Sequence, residues 1–182
     1  MIWLMVIRFD CFGKRISFDF SSRPIRKGFA VGYTNRCKDG SYIATLDYDN
    51  LRLDWIKPEL KRLQKDFNLG SFYIFQSSKS SYHCVCIDKL SFHEFIHILR
   101  NSTVDPNYVL VPLKFGKKLW TLRTTPKKNK IKYIGYITGE STRMKSLAHG
   151  LFLEKIFNIH VTEKDQIRTD WDNELVLARY PQ

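Results

Sequence analysis

The segment Phe72–Ile87, FYIFQSSKSSYHCVCI, has two runs of mainly apolar residues on either side of the polar run Ser77–Ser81. Short apolar runs that are separated by a few polar residues are typical of the two strands of a β-hairpin. The segment therefore predicts an antiparallel pair of strands at the centre of the fold.

The sequence on each side of this hairpin predicts further strands and helices. Residues 42–49 alternate as in a strand, and residues 54–67 carry apolar side chains at helical spacing. After the hairpin, Ser91 and Glu94 form the S-x-x-E pattern of a capping box, which predicts a second helix. A strand is expected over residues 108–113. The resulting order, β-α-β-β-α-β, predicts an α+β fold with an RRM-like or ferredoxin-like core.

Length and composition are those of a globular protein. The chain has 182 residues, of which 43% are hydrophobic, so we interpret residues 1–182 as one domain with a real core. Its parts would be N-terminal strands over residues 1–40, the core over 41–125 and an extension over 126–182. Beyond the core strands, more are expected at residues 119–124, 133–137 and 174–180, with a last helix over 144–156.

The charge of the chain indicates a polyanionic partner. A formal net charge of +12 favours nucleic acid first and an acidic membrane surface second. Residues 1–7 are apolar, but too few to span a membrane, and we expect them to form a buried first strand. The cysteines form no C-x-x-C pair, so no zinc is expected. We therefore predict a cytoplasmic protein, associated with the nucleoid or a mobile element, without a membrane partner.

Two aspartates at the end of the first core strand, Asp47 and Asp49, are candidate metal ligands. Side chains two residues apart on a strand point to the same face. Two carboxylates on one face repel each other unless a cation lies between them, and oxygen ligands suit Mg²⁺ or Mn²⁺. The alternative is that D-Y-D-N is only a polar turn after a strand.

His83 is expected on the strand beside Asp47 and Asp49, because the RRM-like strand order is 4-1-3-2. The Ser-rich turn before it could receive phosphate oxygens. In the same order the fourth strand flanks the first, so Asp105, which precedes it, could supply a third metal carboxylate. Asp-Pro is also a common turn pair. Asp88 is the rival third carboxylate, although we interpret it as a loop residue before the second helix.

Cationic side chains after the core are candidates for phosphate binding. Thr121 and Arg123 alternate with Leu122, so Arg123 is expected on a polar face, where its guanidinium would suit a triphosphate, together with Lys127. The lysines that follow could track a template or primer backbone, or form a solvated face. They are Lys128, Lys130 and Lys132.

With D-x-D, then S-x-H, then a later aspartate, the sequence resembles the archaeo-eukaryotic primase superfamily. That superfamily includes replicative primase small subunits, primase–polymerases of plasmids and viruses, and polymerase domains of bacterial end-joining ligases. The motifs are Asp47-Tyr48-Asp49, Ser81-Tyr82-His83 and Asp105, and the resemblance covers roughly residues 40–125. The zinc element that often helps such enzymes to grip a template or initiating nucleotide is lacking.

The resemblance implies a metal-dependent nucleotidyltransferase that makes or extends primers on a DNA template. Asp47, Asp49 and Asp105 would ligate two Mg²⁺ or Mn²⁺ ions, and Ser81 and His83 would contact the triphosphate of the incoming nucleotide. Partners would be template and primer DNA and nucleoside triphosphates. A helicase or an accessory primase subunit would come from another chain.

Two other functions are compatible with the sequence. One is a non-catalytic RRM-like nucleic-acid binder that stacks bases on aromatic residues. These would include Tyr42, Tyr48, Phe72 and Tyr82. The other is a ferredoxin-like, metal-independent RNA endonuclease that uses His83. A zinc protease is disfavoured, although His93–His97 matches H-E-x-x-H, because Glu94 belongs to the capping box and the third-ligand candidates, His149 and His160, have no supporting motif.

Overall fold

The computed structural model describes residues 3–11, 14–22, 29–125, 130–161 and 177–181, with side chains described over 32–125 and 130–161. Strands comprise β1 (Trp3–Cys11), β2 (Lys14–Ser22), β3 (Phe29–Thr34), β4 (Tyr42–Tyr48), β5 (Phe72–Ser78), β6 (Ser81–Leu90), β7 (Thr121–Arg123), β8 (Lys132–Ile137) and β9 (Leu177–Pro181). Helices comprise α1 (Leu53–Phe67), α2 (Phe92–Arg100), α3 (Pro106–Lys114) and α4 (Leu147–Phe157). This confirms the predicted α+β class.

The chain divides into two compact units, residues 1–29 with 181–182, and residues 30–180. In the first, β1 and β2 pair antiparallel from Trp3 opposite Ser22 to Cys11 opposite Lys14. The burial expected for β1 concerns side chains outside the described ones, and the interpretation of the chain as one domain stays a prediction. No helix within the described ranges is long and apolar enough to cross a membrane.

The second unit is built on an antiparallel sheet with the strand order β4-β6-β5-β8. The predicted hairpin is confirmed: β5 and β6 pair with Ser78 opposite Ser81 across a two-residue turn. In the pairing of β4 with β6, Asp47 lies opposite His83. The prediction that His83 sits on the strand next to the D-x-D motif is therefore confirmed.

The two faces of this sheet are covered differently. Alternate residues of β4, among them Leu46 and Tyr48, belong to one core cluster with the buried side of α1 and α2. The opposite face, which includes Ile43 and Phe75, packs on residues from β3, β7 and α4. The period of two along a strand thus separates a helix-covered face from the face that carries Asp47 and His83.

The predicted fourth core strand, residues 108–113, is wrong, because these residues belong to α3. Asp105 is the N-cap of this helix and Pro106 occupies its first turn, a combination that favours a helix start. Among the described residues, the outer edge of β4 therefore carries no fourth strand of the 4-1-3-2 order. Instead the amide of Asp105 donates to the Asp47 carbonyl at 2.8 Å, and the Tyr108 hydroxyl donates to the Thr45 carbonyl at 3.2 Å. These contacts satisfy edge groups that a strand would otherwise pair.

The elements that flank the core agree with prediction, with shifted ends. β7 and β8 lie within or next to the ranges expected for strands, and α4 overlaps the expected last helix. β3 lies between β7 and β9 in a separate sheet. The Ser91–Glu94 capping box at the start of α2 is present with both of its hydrogen bonds.

Candidate active site

Asp47 lies at the outer edge of the central sheet, close to the other predicted acidic residues. It is the penultimate residue of β4, and Asp49 follows the strand directly. The backbone hydrogen bond from Asp105 brings the start of α3 to the same point. The structure thus brings together the three aspartates that the sequence singled out.

The carboxyl group of Asp47 is in an unfavourable setting for a negative charge. Its pKa is raised to about 7, first by burial and then by the charges of Asp49 and Asp105, against the opposing effect of the positive charge of Arg123. A buried carboxylate among like charges is costly unless a cation compensates it. At neutral pH, Asp47 is therefore a group that a cation would readily convert to its ionised form.

His83 contacts Asp47 as a neutral imidazole. Its Nε2 atom is 3.5 Å from Oδ1 of Asp47, and the residue is 6% exposed. The pKa of His83 is lowered to about 4, mainly by burial and also by the positive charge of Arg123. Since the ring is uncharged near pH 7, this contact is a long polar contact and not an ion pair.

The positive charge of Arg123 acts on this cluster, because it lowers the pKa of both Asp47 and His83. The predicted alternation holds: Leu122 is buried, whereas Thr121 and Arg123 are half-buried on the other face of β7. Gly32 lies opposite Arg123 in β3. A Cβ atom at Gly32 would lie 2.5 Å from the Leu122 carbonyl oxygen, so the glycine permits the close approach of β3 to β7.

The chemistry of these residues suits a divalent cation, but their side chains are not assembled as a ligand set. Among the described residues, no group of three or more His, Cys, Asp or Glu side chains is arranged to hold a metal ion. Asp105 accepts hydrogen bonds at Oδ1 from the backbone amide and side-chain amide of Asn107, at 3.0 and 3.3 Å. Asp47 and Asp49 are consequently the principal candidate ligands, and Asp105 has a capping role of its own.

The Ser-rich turn and two of the predicted lysines line a common pocket of about 180 Å³. Ser81 lies at the start of β6, two residues from His83, and its hydroxyl is 2.8 Å from that of Ser78. The pocket brings this turn together with Lys130 and Lys132, which the sequence assigned to different ligands. Lys127 and Lys128 lie outside the described residues.

No protein-family model, curated protein or solved structure matches this chain. The chemistry of the site itself is therefore the basis on which a function can be assigned.

The aromatic residues proposed to stack bases are in the wrong place for that role. All four are buried in the core cluster beneath α1 and α2, with Tyr42, Tyr48, Phe72 and Tyr82 each less than 9% exposed. Base stacking needs an accessible aromatic face, so an RRM-like binder that uses these residues is contradicted.

The other residues considered from the sequence have structural partners. Asp88 lies within β6 and not in a loop; it is fully buried, forms an ion pair with Lys145 and accepts a hydrogen bond from the Gly70 amide. Glu94 is held by the capping box and by Arg143. His149 is buried against Ser146 and the Thr34 carbonyl. These contacts support neither Asp88 as a third ligand of the site nor a zinc site on α2.

Residues that the sequence analysis missed help to position the cluster. Asn107 holds the Asp105 carboxylate, and Tyr108 ties α3 to β4 through hydrogen bonds to the side-chain hydroxyl and carbonyl of Thr45. The signal that could have found them is Asp105-Pro106, which is an N-cap followed by the first residue of a helix.

Proposed function

We propose that this chain is a metal-dependent nucleotidyltransferase of the primase–polymerase type, which makes or extends primers on a DNA template. The observation that carries the proposal is the convergence of Asp47, Asp49 and Asp105 beside His83 and Arg123. Together these groups form an acidic centre beside the cation Arg123, on the sheet face away from α1 and α2. The resemblance to the archaeo-eukaryotic primase superfamily belongs to this proposal, with an RRM-like core in which α3 replaces the fourth strand.

Asp47 and Asp49 are the proposed ligands of Mg²⁺ or Mn²⁺, and Asp105 offers its second oxygen, Oδ2. A divalent ion bound there would supply activation of a 3′-hydroxyl and neutralisation of a leaving pyrophosphate. The raised pKa of Asp47 is consistent with this role, because a buried carboxylate among like charges gains most from a cation. None of the neighbouring side chains needs to act as a general base.

The polar groups beside the acidic centre suit a triphosphate that lies along β6. Neighbouring strands are about 4.8 Å apart, so β6 lies about 5 Å from β4. Ser81 and His83 are alternate residues of β6 on the face that carries Asp47, whereas Lys132 pairs with Gln76 on the helix-covered side of the sheet. The Ser81 hydroxyl and the His83 imidazole would hold phosphate oxygens while Arg123 neutralises charge at the centre. Lys130 and Lys132 remain candidates for contact with a nucleic-acid backbone.

His83 is better suited to this role than to acid–base catalysis of RNA cleavage. It is buried and its pKa is about 4, so at neutral pH it carries no proton to donate as an imidazolium. A neutral imidazole can still donate one hydrogen bond, to Asp47 or to a phosphate oxygen. The endonuclease is therefore less favoured than nucleotidyl transfer.

The test is incorporation of labelled nucleotides into a primed DNA template with Mg²⁺ or Mn²⁺. We expect Asp47→Asn/Asp49→Asn to lose at least about a hundredfold in rate, as with removal of groups that stabilise transition-state charge. The matched control is Asp66→Asn, which removes an exposed carboxylate paired with Arg62 on α1. The control should incorporate nucleotides at the wild-type rate. Equal incorporation by wild type and the double variant would contradict the proposal.

A further inference from the structure

An apolar pocket of about 350 Å³ lies beside the acidic centre, between α3 and the strands β3 and β7. Its volume is within the range of small-molecule sites, which are typically concave and mostly apolar with a few polar groups. The residues that matter for its chemistry are Tyr108, Val111, Pro112, Phe115 and Arg123, while the buried Trp120 only closes the wall.

Three contacts connect the pocket wall to the acidic centre. Arg123 lines the pocket, and its charge also acts on Asp47. Asn107 lines the pocket and donates two hydrogen bonds to Asp105. Tyr108 lines it too, and its hydroxyl is 2.7 Å from that of Thr45, two residues before Asp47 on the same strand face. A ligand in the pocket would therefore reach the acidic centre past Arg123.

The geometry of α3 gives the distances of the pocket residues from Asp105. Asp105 caps the helix, and a helix rises about 1.5 Å per residue, so Tyr108 and Val111 lie about 4.5 and 9 Å further along its axis. The pocket thus begins at Asn107, two residues after Asp105, and extends along α3 away from the acidic centre. The space suits a flat ring system whose charged substituent stays at the carboxylates and Arg123.

We propose that this pocket binds the base and sugar of the nucleotide whose phosphates lie at Asp47, Asp49 and Ser81. Apolar and aromatic side chains stack on bases of any sequence, and Arg123 is placed to contact the first phosphate group. The inference rests on the proposed function and names the part of the chain that recognises the nucleoside. Because the protein itself contacts the base, nucleotide binding requires no template strand.

The experiment compares binding of ATP and of inorganic triphosphate by calorimetry, with Mg²⁺ present and DNA absent. Val111→Trp places a large ring in the pocket, at a residue that is 47% exposed and so tolerates the change. Leu110→Trp is the matched control, since Leu110 is the preceding residue of α3, is 61% exposed and points outside the pocket lining. Circular dichroism checks that both variants fold.

We expect Val111→Trp to weaken ATP binding at least about tenfold, because the base loses its stacking contacts. Binding of inorganic triphosphate should be unchanged. Leu110→Trp should bind both ligands as wild type does. Unchanged ATP affinity in Val111→Trp, or an equal loss for inorganic triphosphate, would overturn the pocket assignment. Incorporation by Asp47→Asn/Asp49→Asn tests the acidic centre separately, so the two proposals can fail independently.

Discussion

Two aspartates of the central sheet, the fully buried Asp88 and the partly buried Asp47, have opposite electrostatic surroundings. Asp88, on β6, is fully buried, and its oxygens are met by the Lys145 ammonium group and the Gly70 amide. Asp47, on β4, has the charges of Asp49 and Asp105 nearby. Asp88 is thus neutralised within the chain, whereas Asp47 is only partly compensated, by Arg123.

This difference indicates what each residue does. A buried charge whose partners are all present most simply has a structural role. Removal of one partner would leave the other charge buried without compensation. A buried carboxyl among like charges has no structural benefit, and perturbed groups of this kind cluster at functional sites. The same substitution, aspartate to asparagine, should therefore have opposite effects at the two positions.

The largest expected effect is at Asp88. Asp88→Asn keeps the size of the side chain but leaves the Lys145 ammonium group buried without its counter-charge. We expect the free energy of unfolding to fall by about 3 kcal/mol or more, as for other broken buried pairs. Urea denaturation at pH 7 measures it, and a change below about 1 kcal/mol would remove the contrast with Asp47.

Asp47→Asn is expected to stabilise the protein, and only above acidic pH. The pKa of Asp47 is about 7 in the folded chain and near 3.8 when unfolded, so the unfolded state loses this proton first. Wild type thus loses stability as the pH rises from about 4 to 7, while the variant does not. The variant should gain about 1–3 kcal/mol at pH 8 and little at pH 4.

Denaturation of both proteins across this pH range provides the measurement. His83, whose lowered pKa gives the opposite slope between about pH 4 and 6.5, is present in both proteins and cancels in the difference to first order. If the difference in unfolding free energy between the two proteins does not change with pH, the pKa of Asp47 is not raised in the folded chain.

Substitutions of the charged residues near Asp47 should shift the pKa of Asp47 by modest amounts. Arg123→Gln removes the positive charge that lowers the pKa of both Asp47 and His83, so both values should rise. Asp49→Asn removes a like charge, so the pKa of Asp47 should fall. Carbon-13 NMR titration of the Asp47 carboxyl group and the His83 imidazole ring measures these shifts, with Arg123→Lys as the charge-preserving control. Unmoved values would separate these residues from the cluster.

Much of the fold is readable from local sequence. The β5–β6 hairpin, the amphipathic α1 and the capping box of α2 follow from periodicity and cap chemistry within short segments. The predicted strand order places β4 beside β6, whereas the register that sets Asp47 opposite His83 is a finding of the structure. For this reason the predicted neighbours on adjacent strands are found together.

The error over α3 has a physical cause. Val109, Leu110 and Val111 have the character of a strand, yet none of them is buried, and the Asp105–Pro106 start favours a helix. The partnership of Asp88 with Lys145 and the pocket beside Arg123 depend on contacts between distant segments. Such contacts leave no local pattern, so the sequence could not predict them.

We propose that a divalent cation compensates the charge of Asp47. The pKa of this carboxyl group, measured with and without Mg²⁺, tests that proposal directly. Without the ion, carbon-13 NMR should give a pKa of about 7. At saturating Mg²⁺ we predict a markedly lower pKa for Asp47 in wild type and a reduced shift in Asp49→Asn. A pKa for Asp47 that is unaffected by Mg²⁺ would contradict the account.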